Sequence, residues 1–223
     1  MLVGDDAMQR LQQARVIIFG VGGVGSWCAE ALVRSGIGHL TMVDPDCVEV
    51  TNLNRQLPAL TSTLGRPKVE VLRERFLDIN PSATIVAIAD RFCADNADIL
   101  APERYDCVID AIDSLQDKME LILRCTQKDV SVRFYSSMGA ARKRDPLQVR
   151  MTEFWKVDGC PLAATLRKRM RKSQRFPERK FKCVWSPERC ETAEPKGTMM
   201  PVTATFGLAL ASAVIADLSS VKS

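Results

Sequence analysis

Four glycines between a short apolar stretch and an apolar helix are the clearest chemical signal in this sequence. The stretch 16–19 is typical of a buried strand, and a helix is predicted over residues 27–33. Glycines leave backbone N–H groups uncovered, and the helix dipole favours negative charge at its amino end. The turn therefore predicts a phosphate site, compatible with NAD, a flavin or ATP. Its glycines are Gly20, Gly22, Gly23 and Gly25.

Three charged side chains are expected to lie beside this turn. Arg55 belongs to a polar loop, and Lys68 begins a predicted helix. Asp113 ends a strand predicted from residue 105. Open α/β sheets bind ligands at the edge where strands end and helices begin. Two cations and one carboxylate at that edge suit a Mg²⁺-bound triphosphate better than the shielded pyrophosphate of a dinucleotide.

A further carboxylate, Asp44, follows a second predicted strand at 39–43. It stands 19 residues after Gly25. In a Rossmann unit a carboxylate at this place accepts hydrogen bonds from the ribose hydroxyls of a nucleotide. The alternative interpretation is a turn aspartate in the tripeptide Asp44-Pro45-Asp46.

Predicted strands and helices alternate along the chain, which is typical of an α/β fold. We expect a Rossmann-like, mostly parallel sheet with helices on both faces and an antiparallel extension in the C-terminal half. At 223 residues the chain is long enough for one such domain. The remaining predicted elements are helices over 1–13, 67–79 and 115–128 and a strand over 84–88.

Composition excludes several classes of site. His39 is the only histidine, so a histidine-centred catalytic triad is close to excluded. No Cys-x-x-Cys pair occurs among the eight cysteines, which we interpret mostly as buried, reduced thiols of a cytoplasmic protein. The amino terminus carries Asp5 and Asp6 where a signal peptide would need positive charge.

Charge is divided unevenly between the two halves of the chain. Residues 1–139 carry 14 Lys/Arg and 19 Asp/Glu, whereas residues 140–223 carry 17 and 8. The basic half is densest at 167–182, with nine cations and one acid. A run this one-signed indicates a polyanionic partner rather than a solvated charged face. Phe176 and Phe181, which stand among these cations, are candidates for stacking on unpaired bases.

Five motif blocks follow one another in the first half. They are Gly20-x-Gly22-Gly23-x-Gly25-Ser26, Asp44-x-Asp46, Asn52-x-Asn54-Arg55-Gln56, Gly65-x-Pro67-Lys68 and Asp110-Ala111-Ile112-Asp113-Ser114. In order and spacing they resemble the ubiquitin-activating-enzyme-like adenylyltransferases. The blocks 161–169, 183–186 and 202–207 resemble the tRNA threonylcarbamoyladenosine dehydratase branch of that superfamily. The resemblance covers nearly the whole chain.

This resemblance implies a single ThiF-type adenylation domain over 1–223, with a nucleotide-binding half (1–139) and a basic, substrate-binding and dimerising half (140–223). It implies ATP-dependent cyclisation of threonylcarbamoyladenosine in tRNA through an acyl-adenylate, in a homodimer. Asp44 would hold the ribose, and Asp113 would bind Mg²⁺. The other implied ATP contacts are the four glycines, Asp46, Asn52, Arg55, Gln56 and Lys68. The tRNA contacts we expect are Arg167, Arg169, Arg171, Lys172 and Arg175.

Three alternatives stay open at this point. One is an adenylyltransferase that activates the C-terminal glycine of a ubiquitin-like sulfur carrier. Those relatives commonly carry paired Cys-x-x-Cys zinc ligands, which Cys160, Cys183 and Cys190 cannot form, so no structural zinc is expected. The others are a tRNA-binding nucleotide sensor without turnover and a nicotinamide dehydrogenase. Because the family sits beside a cysteine desulfurase system, Cys190 is also a candidate reactive thiol.

The run 198–216 carries no charge over 19 residues. Its length raises the possibility of a transmembrane helix, but Pro201, Gly207 and three hydroxyl residues interrupt it. We predict a core helix near the sheet and the dimer interface, with membrane association kept as the alternative. The family usually has an arginine a few residues ahead of the Leu2-Val3-Gly4 segment. Here Met1 directly precedes Leu2, so that arginine is either trimmed from this sequence or lost.

Overall fold

A seven-stranded sheet organises the computed structural model, which describes residues 3–189 and 197–220. The strand order is β3-β2-β1-β4-β5-β7-β6, and β6 runs antiparallel to β7 while every other neighbouring pair is parallel. The predicted fold class is therefore confirmed. The strands are β1 (Arg15–Phe19), β2 (His39–Val43), β3 (Thr84–Ile88), β4 (Cys107–Asp110), β5 (Arg133–Ser137), β6 (Arg150–Glu153) and β7 (Lys182–Trp185).

Helices cover both faces of the sheet. On one face the apolar core joins Val16 and Ile18 of β1 to the helices α1, α2, α3 and α7. On the other face Ile17 and Phe19 pack with α5 and α6. A strand buried on both faces needs an unbroken apolar run, which is what β1 provides. The helices are α1 (Asp5–Gln13), α2 (Gly25–Arg34), α3 (Lys68–Ile79), α4 (Ala97–Leu100), α5 (Leu115–Cys125), α6 (Pro161–Ser173) and α7 (Met200–Ser219).

Most element bounds follow the prediction, and three differ at their ends. The strand predicted from residue 105 to Asp113 is β4, Cys107–Asp110, so Asp113 lies on the turn after the strand. The first helix begins at Asp5, after Gly4, whose φ of 75° lies outside the helical region. The helix predicted over 115–128 ends at Cys125. The Thr126 hydroxyl donates to the carbonyl oxygen of Ile122 at 2.6 Å, a local bond that competes with continuation of the helix.

The apolar C-terminal run forms α7, which lies against α2. Gly207 permits the close approach, because a Cβ there would stand 2.4 Å from the carbonyl oxygen of Val24. Val202, Phe206 and Leu210 are fully buried, so the predicted core helix is confirmed on this face. By length and composition α7 is also apolar enough to cross a membrane, and half of its most apolar window is buried inside the protein.

Candidate active site

A cavity of about 1390 Å³ opens at the carboxyl ends of β1, β2, β4 and β5. This edge is where the sequence predicted the site, because open α/β sheets bind ligands outside the carboxyl ends of their strands. The lining brings together nine of the predicted site residues: Gly20, Gly22, Gly23, Asp44, Asp46, Arg55, Gln56, Lys68 and Asp113. Gly25 and Asn52 are not among the residues that line it.

The glycines of the turn differ in what they allow. A Cβ on Gly20 would lie 2.6 Å from the carbonyl oxygen of Ala111, and its φ is 86°. A Cβ on Gly25 would lie 1.9 Å from the carbonyl oxygen of Gly20. A Cβ on Gly22 would meet the side-chain amide of Gln56 at 3.6 Å, an ordinary van der Waals contact, and Gly22 lines the cavity. Gly20 and Gly25 thus allow the turn to pack, and Gly22 keeps the backbone accessible to a ligand.

Asp44 is buried at the end of β2, and its carboxylate already holds two backbone amides. The N–H of Val21 donates to Oδ2 at 2.7 Å and the N–H of Asp46 donates to Oδ1 at 2.9 Å. Burial raises the pKa of Asp44, against the opposing effect of these hydrogen bonds and of Lys68. Both sequence interpretations are therefore compatible with the structure: Asp44 orders its own turn, and a carboxylate retains lone pairs for a ribose hydroxyl.

Lys68 is the first residue of α3, and its buried ammonium reaches the cavity from there. Its Nζ lies 2.7 Å from Oδ2 of Asp46, whose side chain is 63% exposed. One partner is buried and the other faces solvent, so this pair orients the ammonium without removing it from the cavity. Asp46 therefore orients the Lys68 ammonium, and because Asp46 also lines the cavity it is within reach of a ligand.

The polar loop after β2 presents Arg55 and Gln56 to the cavity. Nη1 of Arg55 donates to the carbonyl oxygen of Thr51 and to Oδ1 of Asn54, both at 2.8 Å. Oε1 of Gln56 is buried and has no hydrogen-bond partner among the described residues, so it can accept from a bound molecule. Asn52 instead braces the loop, with Oδ1 accepting from the N–H of Glu49 at 3.0 Å.

A buried ion pair that the sequence analysis missed supports the turn carrying Asp113. Nζ of Lys118 lies 2.7 Å from Oδ1 of Asp110, and both side chains are fully buried. Ser136 donates to the other carboxylate oxygen, and the N–H of Ile112 donates to Oδ1 at 3.1 Å. The sequence did contain a signal for this pair: Lys118 falls on the apolar face of α5. The network holds the turn at the cavity edge, where Asp113 is exposed.

Arg91 is a second cation that the sequence analysis did not select. It follows the carboxyl end of β3, lines the cavity and places Nε 2.6 Å from Oδ2 of the buried Asp117. The rule that selected Asp44 and Asp113, a polar residue just after a strand, would also have found it. Next to it, Phe92 packs edge-on against Phe19 and forms an apolar wall.

The donor set fits a magnesium ion held jointly with a nucleotide. Within residues 3–189 and 197–220, no group of three or more His, Cys, Asp or Glu side chains could hold a metal. Mg²⁺ in phosphate-transfer sites usually takes one or two carboxylates, with phosphate oxygens and water completing its shell. Asp113 suits that role, since no cation of the described chain lies within ion-pair distance of its carboxylate.

The basic segment divides into exposed and engaged cations. Arg169, Arg171 and Lys172 are exposed on α6, which begins at the cavity. Arg167 donates to the carbonyl oxygens of Phe154 and Val157, and Arg175 lies 3.0 Å from a carboxylate oxygen of Glu120. These two guanidinium groups have intramolecular partners, whereas the other three cations are exposed. Binding to tRNA stays a prediction for all five.

The two aromatic candidates have different outcomes. Phe176 is 42% exposed beside these cations. Phe181 is buried, stacked on Phe154 with ring centroids 5.0 Å apart, so the prediction that it stacks on bases is wrong. Phe181 directly precedes Lys182, the exposed first residue of β7. Because neighbouring side chains of an extended chain point to opposite sides, the Phe181 ring lies in the apolar core. Cys190 lies outside the described residues.

Comparison with known proteins agrees with this geometry. The model of the ThiF family matches residues 1–222. The chain is 40% identical to the tRNA threonylcarbamoyladenosine dehydratase of Haemophilus influenzae, over 98% of this chain and 90% of that protein. For the protein of the same name in Escherichia coli the identity is 37%, over 92% and 77%.

The fold also matches a solved structure, the E. coli tRNA N6-threonylcarbamoyladenosine dehydratase in complex with ATP. The TM-score is 0.89 at 37% identity, covering 97% of this chain and 90% of that one. A family model matching nearly the whole chain and relatives of this identity agree with the motif blocks and the cavity. This protein belongs to the ThiF family.

Proposed function

We propose that this protein is an ATP-dependent tRNA threonylcarbamoyladenosine dehydratase that works through an acyl-adenylate. The observation that carries the proposal is the cavity at the sheet edge. A glycine turn, two cations and an exposed carboxylate meet there, beside a basic helix. Relatives that are 37–40% identical to this chain bear that enzyme name, and one of them has been solved with ATP.

The chemistry needs positioned charge more than acid–base groups, because a carboxylate is already a nucleophile. An oxygen of the substrate's threonyl carboxylate attacks the α-phosphorus of ATP. The bond from that phosphorus to the bridging oxygen breaks, and pyrophosphate leaves with the electron pair. A nucleophilic atom of the same side chain then attacks the acyl carbon, closes a ring and expels AMP, with loss of one proton. The net change is removal of water at the cost of ATP.

The residues of the chain would divide this work. Asp44 accepts from the ribose, and the backbone of Gly22, which lines the cavity, lies along the phosphates. Lys68 and Arg55 offset the negative charge that builds up on the phosphates as pyrophosphate leaves. Mg²⁺ held by Asp113 would neutralise charge on the phosphate oxygens. Asp110 and Lys118 keep the turn carrying Asp113 in place.

Transfer RNA is the proposed polyanionic substrate. The helix α6 starts at the cavity with Pro161 and Leu162, and its exposed cations follow within three turns. At a rise of about 1.5 Å per residue, Arg169 to Lys172 stand roughly 12–17 Å from that start. This distance suits contacts with phosphates that flank a nucleotide inserted in the cavity.

We also propose that the protein acts as a homodimer in the cytoplasm. The outer face of α7 offers an apolar surface around Leu208, which is half exposed, and Ile215. A second copy would cover this face. The interaction of Cys190 with a cysteine desulfurase or sulfur-acceptor partner stays a prediction.

The direct test is Asp113→Asn, with Asp95→Asn as an exposed control outside the cavity. With ATP, Mg²⁺ and tRNA carrying threonylcarbamoyladenosine, the parent and the control should release AMP. Asp113→Asn should lower kcat about 10²–10³-fold, the usual loss when one preorganised electrostatic group is removed. Circular dichroism should show an unchanged fold.

Two outcomes would contradict the proposal. Full AMP release by Asp113→Asn would remove this carboxylate from the site. AMP release with a ubiquitin-like sulfur carrier, but none with the tRNA, would replace the proposed function with the sulfur-carrier alternative.

A further inference from the structure

The cavity extends beyond the elements that would hold ATP. The segment 138–143, which follows β5, lines it together with the start of α6, including Leu162 and Thr165. Strand β5 is two positions from β1 in the sheet, so its end lies about 10 Å from the glycine turn. The volume of about 1390 Å³ exceeds the roughly 300–1,000 Å³ typical of a site for one small molecule. There is room for a second reactant beside the nucleotide.

A buried cation lies in this second part of the cavity. Lys143 lines it and is only 2% exposed. Its ammonium donates to the carbonyl oxygen of Glu188. No carboxylate of residues 3–189 and 197–220 lies within ion-pair distance of it. A buried ammonium without an anion is costly, and a bound anion would offset that cost.

The backbone around Lys143 is held in an unusual conformation. Arg142 has a φ of 62°, in the left-handed region that few residues other than glycine adopt. Its N–H donates to the carbonyl oxygen of Gly197 at 2.9 Å. The Glu188 carboxylate accepts from the N–H groups of Arg144 and Asp145 at 2.9–3.1 Å. These bonds fix the segment, and strained backbone held by its surroundings is concentrated at functional sites.

We propose that the Lys143 ammonium binds the carboxylate of the threonyl group that is to be adenylated. This inference rests on the proposed function, in which that carboxylate must approach the α-phosphate of ATP, another anion. Arg55 and Lys68 stand at the nucleotide end of the cavity, and Lys143 offsets the charge of the incoming acid at the other end. The same ammonium orients the attacking oxygen until the new oxygen–phosphorus bond removes its charge.

Binding without turnover tests this assignment. The probes are an anticodon stem-loop carrying N6-threonylcarbamoyladenosine and the same stem-loop with that carboxyl as its methyl ester. With no ATP present, the parent should bind the acid more tightly than the ester, by about 10- to 100-fold for a charge-assisted hydrogen bond. Lys143→Met should bind the acid only as tightly as the parent binds the ester, with its affinity for the ester unchanged. Lys143→Arg should restore part of the preference for the acid.

Controls separate this role from general effects. Lys156→Met removes an exposed cation and should keep the full preference for the acid. Lys143→Met should bind ATP as the parent does, which shows an intact fold. A retained preference in Lys143→Met overturns the assignment. If Lys143→Met lowers the affinity for the acid and for the ester by the same factor, the assignment is also overturned, because Lys143 would then bind a tRNA phosphate rather than the threonyl carboxylate.

The proposed function fails by a different outcome. In that case the parent itself releases no AMP with ATP and the modified tRNA. If instead the parent releases AMP and Lys143→Met releases it with an unchanged KM for the tRNA, only the role of Lys143 is wrong.

Discussion

Single residues decide whether the glycine turn can both fold and bind. Gly25 leaves space for a carbonyl oxygen that a Cβ would meet at 1.9 Å, whereas Gly22 lines the cavity and a Cβ there would make only an ordinary contact with Gln56 at 3.6 Å. In the sequence of the glycine turn, Gly22 and Gly25 cannot be told apart by role. Their neighbours give Gly25 a packing role and Gly22 a role toward the ligand.

Alanine at these two positions should separate stability from binding. Gly25→Ala should lower the free energy of unfolding by about 1–3 kcal/mol, because the backbone must shift to relieve the clash. Gly22→Ala should leave stability within about 1 kcal/mol of the parent. It should weaken ATP binding about tenfold, since its methyl group occupies the path of the phosphates.

Urea unfolding and titration calorimetry measure the two effects. If Gly25→Ala unfolds at the urea concentration of the parent, the packing role is refuted. Unchanged ATP affinity in Gly22→Ala would place the nucleotide elsewhere in the cavity.

At the scale of elements, the two faces of α6 separate packing from charge. Ala163, Leu166 and Met170 are buried against the sheet, so the helical period turns Arg169, Arg171 and Lys172 outward. A helix that packs on one face and carries cations on the other can hold a polyanion without losing its place in the core.

Removing two of these cations should weaken tRNA binding without changing ATP affinity. Arg171→Ala with Lys172→Ala should lower the slope of log affinity against log salt by about 0.7–0.9 for each phosphate that the protein no longer neutralises. The matched control, Arg104→Ala with Lys128→Ala, removes two exposed charges outside the basic segment, near the amino ends of β4 and β5. Filter binding from low to moderate salt measures both slopes.

The control should keep the slope of the parent. An equal loss in both double variants would indicate that overall charge, rather than α6, attracts the tRNA. No tRNA binding by the parent at low salt would contradict the proposed substrate.

At the scale of the whole molecule, α7 has one buried and one open face. Val202, Phe206, Leu210 and Val214 belong to the core, whereas Leu208 is half exposed. An apolar face of this kind on a long helix indicates an interface, and closed two-fold dimers are the commonest arrangement.

Light scattering should therefore give the mass of two chains at micromolar concentration. Leu208→Asp should shift the equilibrium to single chains, because it places a charge in the dimer interface. Ile99→Asp changes an isoleucine that is 84% exposed on α4, on the face of the sheet opposite α7, and should stay dimeric. A monomeric parent would refute the dimer, and solubility only in detergent would favour the membrane alternative.

Much of the site could be predicted because its signals are local. The apolar run of β1, the glycine turn and the carboxylate after β2 are each defined by near neighbours in sequence. Parallel strands then bring their carboxyl ends to one edge, so that Asp44 and Asp113 meet without further information. The buried thiols follow the same logic: the side chains of Cys28, Cys107 and Cys125 are covered, and burial raises their pKa.

Only the tertiary structure decided which charged groups pair and which remain available. The pairing of Lys118 with Asp110 and of Arg91 with Asp117 depends on how α5 packs beneath the strand ends. Burial of Lys143 depends on a segment 45 residues away in the chain. The pairing and exposure of a charge depend on neighbours distant in sequence, whereas a strand or a turn depends on residues close in sequence. For that reason the sequence alone determined the fold and the nucleotide-binding part of the site. The tertiary structure decided the electrostatics of the part of the cavity around Lys143.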